Sequence, residues 1–324
     1  AYSPLPLEVL LLDAQQRNLY GGAESGEVLW WRLGPEGPSR PDVIPAGSSP
    51  ITAMTLLLGD RALVVGREDG TLRIWFQMRG GDDNFQLKPI RDLPRREAAI
   101  RLLSPSLRDK GFLVQDETGG LGLYYSTSKR LLWEGDSPLP GATALFFAPK
   151  ADGALLGEAG RLVTLEVERR HPEVGLRALF GEVWYEGLAE PGHVWQSTGG
   201  TDDFEPKLGM TPLLVGTLKG TFYSLLLAIP LGVLGAMYTS QFMHARLKRV
   251  VKPTVEIMAA LPSVVLGFLA GLWLAPRVER AFGALILMLF LLPLFAMLSG
   301  YLYNRLSPAF RARFPMGTEA LVAI

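Results

Sequence analysis

The side chains that perform most enzyme chemistry are sparse or scattered in this chain of 324 residues. Cysteine is absent, so neither a disulfide nor a thiolate metal site can form. The histidines, His171, His193 and His244, are too far apart in sequence to predict a zinc site. The sequence also has no Gly-x-Ser-x-Gly elbow, Walker A loop or dinucleotide fingerprint. It therefore predicts no catalytic residue, no cofactor and no metal site.

Acidic turns and hydroxyl side chains remain as candidates for contacts with ions or a substrate. The pairs Glu68-Asp69 and Asp82-Asp83 suit a cation, but acidic turns of this kind are more often only solvated. A polar path through a membrane is offered by Ser224, Thr239, Ser240 and Ser263. Because serine and threonine in membrane helices commonly bond the helix backbone, we leave the substrate path unassigned.

Charge and hydropathy divide the chain into two different parts. The 32 basic and 32 acidic residues balance to a formal net charge of zero, which gives no indication of nucleic-acid binding. Residues 1–205 are mixed in polarity, whereas residues 210–302 are dominated by apolar runs. Each run is long enough for a membrane-spanning helix, which needs about 20 apolar residues. The runs are Pro212–Phe242, Val255–Ala275 and Ala281–Tyr301.

Several residues within these runs are unusual for a plain membrane anchor. Gly267 and Gly271 place two small residues at a four-residue spacing, which lets another helix approach closely. Pro230 and Pro293 predict local kinks. Lys219 predicts a side chain that extends to the membrane interface, or alternatively one that meets an anion on the outer side. The prolines and paired glycines favour a transporter over an anchor.

The polar part contains four similar segments, which begin at Tyr20, Val65, Val114 and Leu156. Each has a short apolar strand, a turn with an acidic residue and glycine, and a second strand that alternates apolar and polar residues. The equivalent glycines are Gly26, Gly70, Gly119 and Gly160. A period of about 40 to 50 residues is typical of propeller blades with four strands each. We therefore predict a mixed fold, an incomplete, WD-like all-β propeller followed by α-helices. A β-sandwich with regular hairpins is the alternative.

Two stretches of the apolar part resemble phosphate ABC transporter permeases of the Pst system. Lys252–Pro276, KPTVEIMAALPSVVLGFLAGLWLAP, resembles their ELLAxIPSVVYGxxGL-type segment. Pro212–Met243 resembles the preceding helix, through Gly216-Thr217-Leu218, Thr221 and Ala228-Ile229-Pro230. The two patterns follow each other in the family order, in about the last third of the chain. The resemblance is greatest to the PstC-type subunit, in a long variant with a large insert ahead of this helix.

The resemblance implies a membrane permease subunit of an ATP-binding-cassette importer that translocates inorganic phosphate across the inner membrane. It implies no enzymatic activity, because a separate subunit hydrolyses ATP. The implied partners are a second permease subunit of the PstA type, a dimer of the ATPase subunit, a periplasmic phosphate-binding protein and membrane lipid. Two alternatives stay open: an ABC permease for another oxyanion or solute, and a membrane-anchored propeller scaffold that binds proteins. In the family a first helix precedes the insert and the ATPase-coupling loop comes later, so we interpret this chain as an internal piece.

We divide the chain into three regions on these grounds. Residues 1–171 are predicted to form a β-propeller-like extracytoplasmic domain, residues 172–208 a connector, and residues 209–324 the transmembrane permease region. In the connector, Trp184-Tyr185 and Trp195 are expected either to lie in an interfacial aromatic belt or to pack beneath the last blade.

Basic residues predict how the apolar runs cross the membrane. Those between the first and second runs are Arg246, Lys248, Arg249 and Lys252, and those after the third run are Arg305, Arg311 and Arg313. Basic residues in short loops stay on the cytoplasmic side. The first and third runs should therefore cross from outside to inside, and the second from inside to outside. This multi-pass arrangement places the N-terminal domain in the periplasm.

Overall fold

The computed structural model describes residues 3–80, 85–201 and 203–305, and the predicted acidic pair Asp82-Asp83 lies outside them. The chain divides into two compact units, residues 1–225 and residues 226–324. The first unit contains the strands and a short helix, and the second contains most of the apolar helices.

Within the described residues, the first unit contains four antiparallel sheets of five, four, four and three strands, and a two-stranded sheet in the connector. The first sheet contains β1 (Leu7–Leu12), β2 (Asn18–Ala23), β3 (Glu27–Gly34), β4 (Gly37–Pro38) and β5 (Asp42–Pro45). The second contains β6 (Ile51–Leu56), β7 (Ala62–Arg67), β8 (Leu72–Arg79) and β9 (Phe85–Asp92). The third contains β10 (Ile100–Pro105), β11 (Gly111–Asp116), β12 (Gly120–Tyr125) and β13 (Arg130–Asp136). The fourth contains β14 (Ala144–Phe147), β15 (Gly153–Glu158) and β16 (Arg161–Glu166).

Strands pair in chain order within each sheet, which is the arrangement of a propeller blade. In the first sheet, β4 and β5 both pair with β3. Four successive meanders do not make the two facing sheets of a β-sandwich, so that alternative is wrong and the propeller-like fold is confirmed.

The four predicted repeats coincide with the central hairpins of the four sheets. Each predicted glycine lies in the hairpin turn with a positive φ, +92° at Gly26, +79° at Gly70, +89° at Gly119 and +85° at Gly160. Glycine adopts this left-handed region without the steric cost that a Cβ atom brings. The repeat and its turn residue are therefore confirmed by the backbone conformation.

Three of these glycines also hold the chain where it passes to the next sheet. The carbonyl oxygens of Gly26, Gly70 and Gly119 accept the N–H groups of Ala46, Arg96 and Ser137 at 3.2, 2.9 and 2.8 Å. At Gly70 an added Cβ would collide with the carbonyl oxygen of Arg96 and lie 2.9 Å from that of Ala98. The close approach and the positive φ both require glycine here.

Hydrophobic clusters join each sheet to its neighbour in the chain. One cluster, which includes Tyr20 and Trp75, joins the first and second sheets. A second, which includes Phe76 and Phe112, joins the second and third, and a third, which includes Leu113, joins the third and fourth. None of the clusters formed by the described residues joins the first sheet to the fourth, which agrees with the predicted incomplete ring.

The connector packs against the sheets rather than extending as an aromatic belt. It contains α1 (Leu176–Phe180) and the paired strands β17 (Trp195–Gln196) and β18 (Lys207–Leu208). Trp184 packs on the cluster between the second and third sheets. Tyr185 is buried, and its hydroxyl accepts the N–H of Leu208 at 3.2 Å. The interfacial interpretation is therefore wrong for Trp184-Tyr185, whose packing lies against the second and third sheets and not beneath the last one.

Buried polar contacts fix the connector in place. Lys110 lies under it, with its Nζ 2.7 Å from Oε2 of Glu186 and 2.5 Å from the carbonyl oxygen of Leu58. Thr127 donates to Glu205, whose other oxygen accepts the N–H of Glu186 at 3.0 Å. Since a buried charge is costly unless it is paired, these contacts compensate the charges of Lys110, Glu186 and Glu205.

The remaining described residues are helical. In chain order they form α2 (Thr211–Met237), a π-helical segment (Tyr238–Phe242), α3 (Ala245–Ala260), α4 (Ser263–Leu269), a second π-helical segment (Ala270–Leu274) and α5 (Ala275–Arg305). Pro230 and Pro293 lie inside α2 and α5 without ending either helix.

The second apolar run, predicted as one helix over Val255–Ala275, is interrupted in the structure. Leu261 has φ −70° and ψ 139°, an extended conformation, between the end of α3 and the start of α4. The interruption follows from Pro262, which lacks a backbone N–H and disfavours the helical conformation in the preceding residue.

The predicted link between the second and third runs is helical instead. The second π-helical segment passes directly into α5, and Pro276 lies within this continuous helical stretch. Instead of three separate runs, the described residues contain two helices long and apolar enough to cross a membrane, Thr211–Phe242 and Ser263–Tyr301.

Gly70→Ala should destabilise the first unit, which contains the sheets and is called the β-rich unit below, more than Gly160→Ala does. Both glycines have positive φ, but an added Cβ at Gly160 meets no atom within 4 Å, whereas at Gly70 it meets backbone. Gly160→Ala should therefore cost only the left-handed strain of about 1–2 kcal/mol, and Gly70→Ala clearly more. Urea unfolding of the full chain in detergent, followed by tryptophan fluorescence, measures both. Equal losses would show that the contact with the chain entering the third sheet adds nothing.

Lys110→Met should cost about 3–5 kcal/mol at neutral pH, because it leaves the buried Glu186 without its partner. Burial raises the pKa of the Glu186 carboxyl, while Lys110 opposes that shift. As the pH falls through this raised pKa, Glu186 becomes neutral and the cost should shrink. Lys150→Met is the matched control, because Lys150 is exposed and should change the unfolding midpoint little. A cost that does not change with pH would contradict the assignment to Glu186.

Candidate functional site

The apolar helices expose a large hydrophobic surface, and the candidate functional site lies on them. No side chain of α2, α3 or α4 is buried. Exposed large hydrophobic residues follow the whole length of both candidate spans, for example Leu218 at 70% and Leu289 at 70% exposure. A surface of this extent marks contact with lipid or with other helices.

The first motif lies on α2. Gly216 and Gly220 face open space, because an added Cβ on either meets nothing within 4 Å. The hydroxyl of Thr217 donates to the carbonyl oxygen of Leu213 at 2.7 Å, and so it serves the helix itself. Lys219 lies beside Tyr223, with Nζ 5.9 Å from the ring centroid. The motif thus presents a strip of small residues and a single cation along this helix.

The hydroxyl groups considered for a polar path mostly bond their own backbone. Ser224 donates to Gly220 at 2.8 Å, Thr239 to Gly235 at 2.7 Å and Ser240 to Met237 at 3.0 Å. Ser263 is the first residue of α4. These bonds satisfy the hydroxyls inside an apolar helix, and a substrate path stays unassigned.

The second motif surrounds the interruption at Leu261-Pro262. Gly267 lies in α4 and Gly271 in the π-helical segment that follows. An added Cβ on either glycine meets nothing within 4 Å, so among the described residues their face is open to a further helix. π-helical turns are frequent at functional sites, and a broken helix is tolerated in a membrane where neighbours satisfy its backbone.

The basic residues between the two spans lie on a helix and not in a loop. Arg246, Lys248, Arg249 and Lys252 belong to the first half of α3. His244 caps that helix, and its Nδ1 accepts the N–H of Arg246 at 3.3 Å. Two arginines lie against aromatic rings farther on, since the Arg277 guanidinium carbon is 4.0 Å from the ring centroid of Trp273 and Arg305 donates to the Tyr301 hydroxyl at 2.7 Å. Paired aromatic and basic side chains of this kind suit the edges of a membrane.

Among the described residues, no group of three or more His, Asp or Glu side chains could hold a metal ion. In the turn Glu68-Asp69, the Asp69 carboxylate accepts the N–H and hydroxyl of Thr71 at 3.0 and 2.7 Å. Partial burial opposes ionisation of Asp69, but these bonds, aided by Arg95, lower its pKa. The carboxylate therefore stabilises the hairpin turn.

The chain has distant structural likenesses. It resembles a computationally designed protein, Ika4, with 18% identity and a TM-score of 0.41 over 52% of this chain and 94% of that one. It also resembles the β-propeller domain of Cps50 (Swd1) from Myceliophteria thermophila, with 16% identity and a TM-score of 0.42 over 49% of this chain and 50% of that one. The propeller-like fold rests on the strand pairing described above.

Sequence relatives are partial as well. No protein-family model matches the chain. A probable ABC transporter permease, YqgH of Bacillus subtilis, is 35% identical over 78 residues, 24% of this chain and 25% of that protein. The phosphate transport system permease protein PstC of Mycobacterium leprae is 30% identical over 79 residues, 24% of this chain and 25% of that protein. PstA 1 of Mycobacterium tuberculosis, a protein of the same description, is 37% identical over 89 residues, 26% of this chain and 29% of that protein.

The chain spans about a quarter of the length of the curated relatives it matches. The predicted resemblance is confirmed over that share, because this chain is similar to ABC transporter permeases. Most of the matched relatives are named as phosphate transport permeases.

Proposed function

We propose that this chain serves in a membrane permease subunit of an ABC importer that translocates inorganic phosphate across the inner membrane. The observation that carries the proposal is the similarity to permeases named for phosphate transport. Two motif-bearing helices without a buried side chain support it, because a permease assembles its path from helices of more than one subunit.

The open glycine face at Gly267 and Gly271 is the proposed contact with a second permease subunit of the PstA type. Small residues let helix backbones approach closely where no hydrophobic effect drives association. An ATPase dimer on the cytoplasmic side and a periplasmic phosphate-binding protein would complete the importer. This chain would then hydrolyse no ATP itself.

The rival proposals are a permease for another oxyanion or solute and a membrane-anchored scaffold. An anchor needs only an apolar helix of membrane length. The interruption at Leu261-Pro262 lies just ahead of the second candidate span, and Gly267 and Gly271 weaken the first turns of that span. An anchor needs neither feature, whereas transporters place broken helices at their binding sites, which favours a permease.

Loss of this protein in its source organism should lower ATP-dependent uptake of radiolabelled phosphate under phosphate limitation, and expression of the full protein should restore it. Unchanged phosphate uptake would reject the proposal in favour of a scaffold. An equal loss of sulfate or molybdate uptake would favour the other-oxyanion permease.

In the restored strain, Gly267→Leu and Gly271→Leu should each reduce uptake, because leucine fills the open face that a second subunit would contact. Gly283→Leu is the matched control, since Gly283 also faces open space on α5 but lies outside both motifs. Immunoblots of membranes establish equal protein levels. If Gly283→Leu reduces uptake as much, the glycine face has no special role.

The proposed orientation places residues 1–171 and the connector 172–208 outside the cytoplasmic membrane and α3 inside. It is supported by the four basic residues on the first half of α3, because basic segments next to membrane helices are retained in the cytoplasm. The number of crossings beyond the first span stays a prediction.

Single cysteines test this orientation without interference, because the chain has no native cysteine. Ser25 and Ala245 are both exposed. With the outer membrane permeabilised, an impermeant maleimide should label Ser25→Cys in intact cells. It should label Ala245→Cys only after the inner membrane is broken. The reverse pattern would place the β-rich unit in the cytoplasm and remove the support for an importer.

A further inference from the structure

A small pocket opens where the connector covers the second and third sheets. It has a volume of about 210 Å³ and lies between β9, the turn after β12 and the segment that includes α1. Its charged and hydroxyl-bearing lining residues are Arg91, Thr127, Ser128, Lys129, Arg177 and Glu182. A pocket of this size is smaller than the roughly 300–1,000 Å³ typical of sites for organic ligands, so it suits a small ion.

The residues that line this pocket include more basic than acidic side chains. Arg91 is buried and fully engaged, because it donates to Ser126 at 2.6 Å and to the carbonyl oxygen of Trp184, and lies 3.9 Å from Glu205. In the part of the chain that the structure describes, Lys129 and Arg177 have neither a hydrogen-bonding partner nor an ion pair for their side chains.

The acidic and hydroxyl groups of the pocket do not offset these two cations. The lining residues include one acid, Glu182, against three cations, and Glu182 and Arg177 are both exposed. Burial, followed by the charges of Arg177 and Arg91, lowers the pKa of Lys129, while Asp92 opposes this shift. Thr127 and Ser128 already donate to Glu205 and to the carbonyl oxygen of Pro172. The free donors of the pocket are therefore cationic.

We propose that this pocket binds a phosphate-type oxyanion between Lys129 and Arg177. Guanidinium and ammonium groups recognise phosphate oxygens through charge-assisted hydrogen bonds, and arginine supplies a planar fork for two of them. Arg91 is held in place at the side of the pocket, and Glu205 offsets its charge. The inference concerns the β-rich unit alone and does not depend on transport.

Free phosphate and a phospholipid headgroup both carry phosphate oxygens that could bind between these cations. Arg177 lies on α1, where Leu176 is 80% exposed and Phe180 48% exposed. The end of α1 is bonded to the start of α2, since Met210 donates to Leu179 at 2.7 Å and Thr211 to Phe180 at 3.2 Å. The start of a candidate membrane span is thus close to the pocket, so the test must separate the two sources.

Titration of inorganic phosphate into the full chain in neutral detergent, followed by calorimetry, is the first arm. Arg177→Gln and Lys129→Gln should each raise the Kd for phosphate roughly ten-fold. This is the loss of affinity expected when one charge-assisted hydrogen bond is removed. Glu182→Gln should tighten binding, because it removes the opposing charge. Arg161→Gln is the control of equal charge change, since Arg161 is 72% exposed in its side chain and lies outside the pocket. Circular dichroism verifies that each variant is folded.

The second arm titrates short-chain phosphatidylglycerol under the same conditions. Binding of inorganic phosphate that depends on Lys129 and Arg177 supports the pocket with free phosphate as its ligand. Binding of phosphatidylglycerol alone, with the same dependence, supports it with a headgroup. The proposal is overturned if neither binds, if binding survives both substitutions, or if Arg161→Gln weakens binding equally.

Discussion

The hydrogen bond from the incoming chain to a glycine carbonyl sets the arrangement of the β-rich unit. It occurs at Gly26, Gly70 and Gly119, each time in the turn of a central hairpin. Because the glycine has no Cβ, the next segment can approach the turn closely before it begins the following sheet. Each sheet is thereby placed against its predecessor, and the hydrophobic clusters fill the space between them. Burial then stabilises an arrangement that local turn geometry has already selected.

The close approach of neighbouring sheets also buries charged side chains. Where the chain passes the turn at Gly70, Arg96 enters the interior and donates to Asp116 of the third sheet at 2.8 and 3.0 Å. Although burial opposes it, the bond to Arg96 together with the one from Thr118 lowers the pKa of the Asp116 carboxyl. An ion pair so enclosed adds little net stability, since desolvation offsets much of the attraction. Arg91 and Lys110 extend this pattern beneath the connector, where they pair with Glu205 and Glu186.

The sequence predicted those features whose residues are close together in the chain. A turn glycine and the alternating strand that follows it are adjacent in the chain, so four hairpins and a propeller-like fold were predictable from one repeat. The connector was not, because Arg91 reaches Ser126 and Trp184 across 35 and 93 positions. No pattern along the chain marks such partners. For the same reason the pocket beside Lys129 and Arg177 was missed, and the only available signal was an excess of cations in segments with no obvious acidic partner.

The helices show a different limit. The interruption of the second run at Pro262 was not predicted, because hydropathy averages over the two residues that break the helix. The β-rich unit buries large hydrophobic clusters of its own, whereas the described parts of α2, α3 and α4 bury no side chain. A sheet of this kind can specify its partners by contacts within the chain. Apolar helices with open glycine faces cannot, since lipid and neighbouring helices supply the contacts that fix their tilt and their ends. The conformation of the helices therefore depends on an environment that the sequence does not encode by itself, which is why motif similarity, rather than periodicity, carries the argument for their role.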